Sequence, residues 1–396
     1  MGKGIIPPGG EHEWEEARGW EGKVYRQVCQ QGQGEAVRYL EGLDEELYRQ
    51  RPTGWIVEGF RGRTLVTRFG EVSLRRRLYR DERGEYHFLL DEYLGWKANQ
   101  VATPEMQAIG TLLGGELSFR RAVKVMEQCM AGLLSASTCW RLLQSTGEAA
   151  TTGEAAVVEA VFARGEAVPE EGERQVERLY IEADGVYVRL QRQPRSHLEL
   201  HSAIAYEGWE RLPDRREGYR LSRKWAYCHA GERFAFWEGA SLAWAHQWDL
   251  GHLRTVVIGG DGAEWIRAGV KEFPGAVWQL DSFHLARACR QSFGVPVGQI
   301  LFQALRAGLN SQVQTWLQQA PLPEGKQAQR AFRWVRKVAQ EGWGLDWRVQ
   351  LDVSEEETHG LGCMEGNQAH LLARRMKGKG RSWCPDGARH MAKVQN

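Results

Sequence analysis

The spacing of apolar and polar positions changes several times along the chain, and each change predicts an element. Residues 11–50 mix apolar and charged residues at helical spacing, which predicts a helix. The stretch "TLVTRFGEVSLRRRLYRDERGEYHFLL" (64–90) alternates instead and is punctuated by "FGE" and "ERGE", the pattern of a small antiparallel meander. Helical spacing returns over 103–150. There Ser118 is placed to cap a helix over 119–129, "AGL" makes a short turn, and Ser135 caps a second helix carrying Thr138, Trp140 and Arg141. Two short helices joined by a tight turn form a candidate helix-turn-helix over 118–147, whose second helix would enter the major groove of DNA. Any helical hairpin reads the same way, so the pattern alone leaves both readings open.

Residues 150–177, rich in Glu, Ala and Gly with Pro169, read as a linker closing an N-terminal region of 1–150. Strand texture follows. "ERLYIEADGVYVRLQRQ" (177–193) is a strand interrupted by Asp184, and "SHLELHSAIAYEGWERL" and "RKWAYCHAGERFAFWEGASLAWAHQ" supply two further strand candidates. "RTVVIGGDG" is a fourth, apolar enough to be buried on both faces. "GAVWQLDSFHLARACRQSFG" (275–294) passes from strand to helix, the pattern stays helical to about 350, and a last helix opens near Glu365. Residues 178–396 therefore read as an α/β domain with a helical block at about 290–355 inserted before its final helix.

Composition narrows the class. The chain has 396 residues, 42% of them hydrophobic and 26% charged, enough for two or three domains. It lacks a membrane-length apolar run, and its start lacks the pattern of a secretion signal, so a cytoplasmic, nucleoid-associated protein is expected. Seven scattered cysteines, none in C-x-x-C spacing, argue against a disulfide framework or a zinc ribbon. A zinc site from Cys228, His229, His284 and Cys289 fits no standard spacing. The net charge of +1 conceals basic stretches at 51–80, with Arg75, Arg76 and Arg77, and at 373–396, with Arg374, Arg375 and Lys377. Such stretches suit a nucleic-acid partner, or form an ordinary solvated face.

Three acids bear on chemistry: Asp184 within the first strand, Asp261 just after the fourth, and Glu365 near the start of the last helix. A strand-borne carboxylate is costly to bury without a partner or a cation. Oxygen ligands drawn from separate elements suit Mg²⁺ or Mn²⁺, and two such ions could hold both the attacking and the leaving oxygen of a phosphodiester. Each acid also has a local reading, as a turn residue, a helix cap and a solvated helix position respectively.

"YIEADGVYVRLQ", "VVIGGDGAEWI", "LDSFHLARA" and "MEGNQAHLLARRMKGKGRSWCPDGARHMAKV" together resemble, in order, the motifs of bacterial insertion-sequence transposases of the ISLre class. These are DDE enzymes distantly similar to Mutator-type transposases. "TRFGEVSLRRRLYRD" and the 118–147 helix pair are also similar to that family's N-terminal region. The resemblance implies an RNase H-like catalytic domain with Asp184, Asp261 and Glu365 as ligands of two Mg²⁺ or Mn²⁺ ions, interrupted by a helical insertion. It implies double-stranded DNA, both transposon ends and target, as partner, a homo-oligomer assembled on that DNA, and DNA contacts from Arg75, Arg76, Arg77, Thr138, Arg141, Arg374, Arg375 and Lys377. Asp281 and His284 match a D-x-x-H motif of Mutator-like enzymes and would serve as auxiliary residues; a capping aspartate beside a packed histidine is the plainer alternative. Among the 17 tryptophans, Trp343 or Trp347 is a candidate platform for a flipped base. Two other functions fit parts of the pattern: a carbohydrate-active hydrolase using paired carboxylates and tryptophan platforms, and an inactive DNA-binding relic of the transposase family.

Overall fold

In the computed structural model, residues 19–169, 171–212, 218–231, 233–354 and 358–395 are described. The chain forms two compact units, Met1–Leu143 and Gln144–Asn396. Residues 11–18 of the expected first helix lie outside the described residues; helix α1 runs over Trp20–Arg49.

In the first unit a three-stranded antiparallel sheet follows α1: β1 (Ile56–Thr67), β2 (Gly70–Arg80) and β3 (Tyr86–His87), in the order β1-β2-β3. The meander thus begins at 56 rather than 64. Helices α2 (Leu89–Tyr93), α3 (Pro104–Glu116) and α4 (Phe119–Cys129) come next. Helix α5 (Ala136–Val158) follows, with Ser135 Oγ accepting from the N–H of Thr138 at 3.0 Å. Met106, Met126, Leu134 and Cys139 bury a small core shared by α3, α4 and the start of α5.

The first half of the expected linker is helix, because α5 continues to Val158 and then through a π turn to Ala163. Its Ala and Glu residues are strong helix formers, and the helix ends only at Arg164, before Gly165 at φ 68°. Gly147 within it is a close-approach position: a Cβ there would lie 2.5 Å from His390 Cβ.

The second unit is built on a five-stranded mixed sheet of order β10-β9-β4-β5-β8. β4 (Arg178–Arg189), β5 (His197–Tyr206) and β8 (Trp225–His229) are antiparallel neighbours, while β9 (Thr255–Gly260) and β10 (Ala276–Leu280) add in parallel beyond β4. A hairpin of β6 (Gly208–Arg211) and β7 (Tyr219–Ser222) lies between β5 and β8 in sequence. The segment expected as a third strand is a strand only to His229; from Arg233 to Ala245 it is helix α6. Phe236, Trp237, Ala240 and Trp244 recur there at helical rather than alternating spacing, and they bury one sheet face against Leu179, Ile181 and Ala183 of β4.

Tyr180, Ile204, Tyr206 and Val257 point to the other face, where Trp347 and Met364 pack on them. Helix α7 (Glu264–Ala268) follows β9, and α8 (Ser282–Arg306), α9 (Asn310–Gln319) and α10 (Lys326–Glu341) form the expected helical block with its own core of Leu285, Leu301, Leu305, Val335 and Val338. α8 is kinked at Gly294, φ 77°, just before Pro296. The block closes with α11 (Trp347–Leu351); α12 (Met364–Gln368) and α13 (Pro385–Lys393) complete the unit. α12 passes through a π turn over Ala369–Ala373 into Arg374–Met376. No helix among the described residues is long and apolar enough to cross a membrane.

Candidate functional site: an acid cleft beside the central strand

Alternation along β4 decides which of its side chains reach the site. Leu179, Ile181 and Ala183 face the α6 side, so Glu182 and Asp184 face the side covered by α12. β4 pairs in parallel with β9, the last partners being Glu182 and Gly259; two residues further on, Asp184 lies mid-way along β4 and Asp261 just past the end of β9. Glycines allow this junction: a Cβ on Gly260 would lie 2.9 Å from Ala183 O, and Gly262 turns the chain at φ 93°.

Asp184, Asp261 and Glu365 line one cleft of about 170 Å³, together with Glu182, Asp281 and His284. Asp184 is half-buried at its floor, whereas Asp261 and Glu365 are exposed at its rim. Asp184 Oδ1 accepts from the N–H of Gly185 at 2.7 Å, and Asp261 Oδ1 accepts from that of Ala263 at 2.9 Å. Burial, with the negative charge of Asp261 nearby, pushes the Asp184 carboxyl up to about 6, against the opposing hydrogen bond of Gly185 and the nearby His284 and Gln368. Among the described residues, no three His, Cys, Asp or Glu side chains are grouped as a ready-made metal cage, including Cys228, His229, His284 and Cys289. Cys228 is fully buried, and burial pushes its thiol up to about 12.

Asp281 and His284 form a local pair. Asp281 caps α8, accepting from the backbone N–H of His284 at 2.8 Å, and its Oδ1 lies 3.0 Å from His284 Nδ1. The backbone N–H of Asp281 donates to Gly260 O at 2.7 Å, joining the α8 start to the end of β9. His284 is raised above the usual histidine value by its bond to Asp281 and by the charges of Asp281, Asp261 and Asp184. The aspartate caps the helix as the plainer reading expects, but the histidine beside it is exposed and lines the acid cleft.

Sequence reasoning passed over Glu182, although it stands two residues before Asp184 and so shares its face. Its Oε2 accepts from the backbone N–H groups of Gly362, Cys363 and Met364 at 2.9, 2.8 and 3.2 Å, and Tyr206 donates to Oε1 at 2.7 Å. This buried carboxylate ties the segment before Glu365 to the central strand. Gln368 was also missed; it lies one helical turn after Glu365 and lines the cleft with Asp184.

The basic residues divide between structural and exposed positions. Arg76 is buried, 2.8 Å from Asp91 in an ion pair that also takes Arg63, and its guanidinium lies over the Phe88 ring. Arg77 is paired with Asp44 at 2.6 Å and with Glu45. Arg375 is buried against Trp383, where burial lowers its pKa to about 10. These three are held by the fold and correct the expectation of DNA contact. Arg75, Arg141, Arg374 and Lys377 are exposed, and half-buried Thr138 is engaged with Ser135. Trp347 is buried beneath the sheet and is no platform for a base; half-buried Trp343 is covered by Arg267 and Lys337.

Fold and cleft together define a mixed α/β protein with convergent carboxylates. Residues 11–396 match the uncharacterised protein family UPF0236, and the chain belongs to that family. It is 28% identical over 363 residues to the "UPF0236 protein in vanSb 3'region" of Streptococcus gallolyticus, covering 89% of this chain and 76% of that one. A UPF0236 protein of Caldanaerobacter subterraneus subsp. tengcongensis is 21% identical over 92% of this chain and 70% of its own length. Another from the same organism, whose name joins eleven locus labels, is 21% identical over 90% of this chain and 73% of its own.

Proposed function

We propose that the protein is the transposase of an insertion sequence, binding the terminal repeats of its element and cutting and rejoining DNA strands with divalent metal. The observation that carries this reading is the convergence of Asp184, Asp261 and Glu365, from two neighbouring strands and a separate helix, on one cleft. Three antiparallel strands followed by two parallel strands beside the first is the order expected of an RNase H-like sheet, and it supports that finer assignment. The motif resemblance to ISLre-class enzymes points the same way. So does a relative's name that joins eleven locus labels, as expected of a sequence repeated around one genome.

The donor set fits hard cations: all three ligands are carboxylates, and Asp184 carries an electrostatic cost from Asp261 that a cation would relieve. Asp184, Asp261 and Glu365 are the residues that would hold the ions. When bound, Mg²⁺ or Mn²⁺ would stabilise charge on phosphate oxygens and ease loss of a proton from the attacking group. The protein's own part is positional. Glu182 holds the Glu365 segment, Gln368 lines the cleft beside Asp184, and His284, raised above the usual histidine value by Asp281, stands where a phosphate would enter. Water would be the first nucleophile and a freed 3′-OH the second, so no covalent protein intermediate is needed. The exposed Arg75 and Arg141 remain for DNA contact through the sheet and the proposed helix-turn-helix. Trp237, Trp244, Trp248 and Trp347 are buried, which removes many of the platforms that a carbohydrate hydrolase would use.

The direct test incubates the full chain with DNA spanning the ends of its own element, with and without Mg²⁺. Metal-dependent nicks at the repeat boundaries are expected; intact DNA under both conditions would overturn the reading.

A further inference from the structure

Beside the acid cleft, and sharing Asp261 and His284 with it, runs a larger groove of about 460 Å³ between α8 and α10. Its two walls repeat one pattern. His284, Arg287, Ala288 and Gln291 on α8, and Gln327, Arg330, Ala331 and Trp334 on α10, each stand at positions i, i+3, i+4 and i+7, one face of each helix. Ala288 and Ala331 are buried, and their small side chains leave room for the groove. Arg287 and Arg330 are exposed on its opposite walls, and among the described residues neither meets a carboxylate. Trp334 is half-buried, with its indole lining the groove. α10 as a whole carries Lys326, Arg330, Arg333, Arg336 and Lys337 against the single acid Glu341.

A groove with cations on both walls, an aromatic face and amide side chains has the chemistry of a single-strand binding site: guanidinium groups for phosphates and a ring on which any base can stack. We infer that the groove between α8 and α10 holds an unpaired stretch of DNA strand leading into the acid cleft, with Arg287 and Arg330 on its phosphates and Trp334 stacked on a base. The inference rests on the transposase reading for its choice of DNA, but the binding itself requires neither metal nor cleavage.

The test uses the full chain in EDTA with a short oligothymidylate carrying 5-iododeoxyuridine. The expected photo-crosslink falls on the peptide containing Trp334. Trp334→Ala should weaken binding roughly 5- to 100-fold, and Trp334→Phe should restore most of it. Arg287→Ala with Arg330→Ala should lower the log–log salt slope by about 1.4, at roughly 0.7 per phosphate on a single strand. Unchanged affinity in both Trp334→Ala and the double arginine variant, with thermal unfolding like wild type, would overturn the inference. So would a crosslink confined to another segment. Metal-dependent end cleavage without strand binding in the groove would overturn this inference alone; strand binding without any end cleavage would overturn the transposase reading alone.

Discussion

Asp184 occupies a costly position for a carboxylate, at the floor of a cleft beside a second acid, and that cost is what a metal ligand would exploit. Cysteine at 184 would replace a hard oxygen with softer sulfur, which Mg²⁺ accepts poorly and Mn²⁺ tolerates better. Asp184→Cys is therefore expected to lose DNA cleavage in Mg²⁺ and partly regain it in Mn²⁺; equal activity in both ions would remove Asp184 from the metal site. A second residue-scale prediction concerns His201 on β5, stacked on Trp265 with ring centroids 4.0 Å apart. Burial, with His229 nearby, lowers it to about 4 from the usual 6.5. Between those values the unfolded chain binds a proton that the fold refuses, so this stability is full above pH 6.5 and is lost as pH falls towards 4. The loss is on the order of 3 kcal/mol. Urea midpoints across pH 4–7 should fall less steeply for His201→Phe than for wild type, and identical slopes would refute the assignment. At this scale the three acids were legible through their conjunction and the motifs around them, since each taken singly also had a local reading. Glu182 was not, because its partners are backbone N–H groups 180 residues away, which no local pattern displays.

At the scale of elements, β2 sorts arginines that composition cannot tell apart, Arg76 by strand alternation and Arg77, on the same face as Arg75, by the acids of α1 beside it. Arg75 is exposed, whereas Arg76 faces inward to Asp91 and Arg77 is held by Asp44 and Glu45. Arg76→Ala should destabilise the protein by about 1–3 kcal/mol, because Arg63 still pairs with one oxygen of Asp91 while the other is left buried without its cation. Arg75→Ala should leave the melting temperature unchanged and reduce the salt slope of DNA binding by about 0.9. Thermal unfolding and fluorescence anisotropy separate the two, and equal melting losses would place Arg75 in the structural class. Element reading succeeded where one period dominated, as in the 119–129 helix and the apolar β9. It failed where composition suggested flexibility, as in the Ala- and Glu-rich end of α5, and where aromatic residues suggested strand, as in α6. In both places helical spacing was present but outweighed in the reading by residue type.

At the scale of the molecule, chain order and space diverge, and the site depends on that divergence. Asp184 and Asp261 share one cleft because β9 pairs in parallel with β4 after a long crossover, and Glu365 joins them only after the helical block is complete. The block also contributes His284 to the cleft and Trp334 to the neighbouring groove, so it is part of the site and not a spacer. Its basic helix was invisible as a patch in the sequence, since its cations alternate with apolar core residues such as Phe332 and Val335. The central claim is that three carboxylates act together on DNA through metal. The measurement that tests it most directly is strand cleavage of end DNA in Mg²⁺ by the wild type and by Asp184→Asn, Asp261→Asn and Glu365→Gln, alongside binding of the same DNA. Each variant is expected to lose cleavage by at least about a hundredfold, since loss of one ligand forfeits several kcal/mol of charge stabilisation, while binding stays near wild type. Near-normal cleavage by any one of the three, or cleavage by wild type in EDTA, would contradict the account.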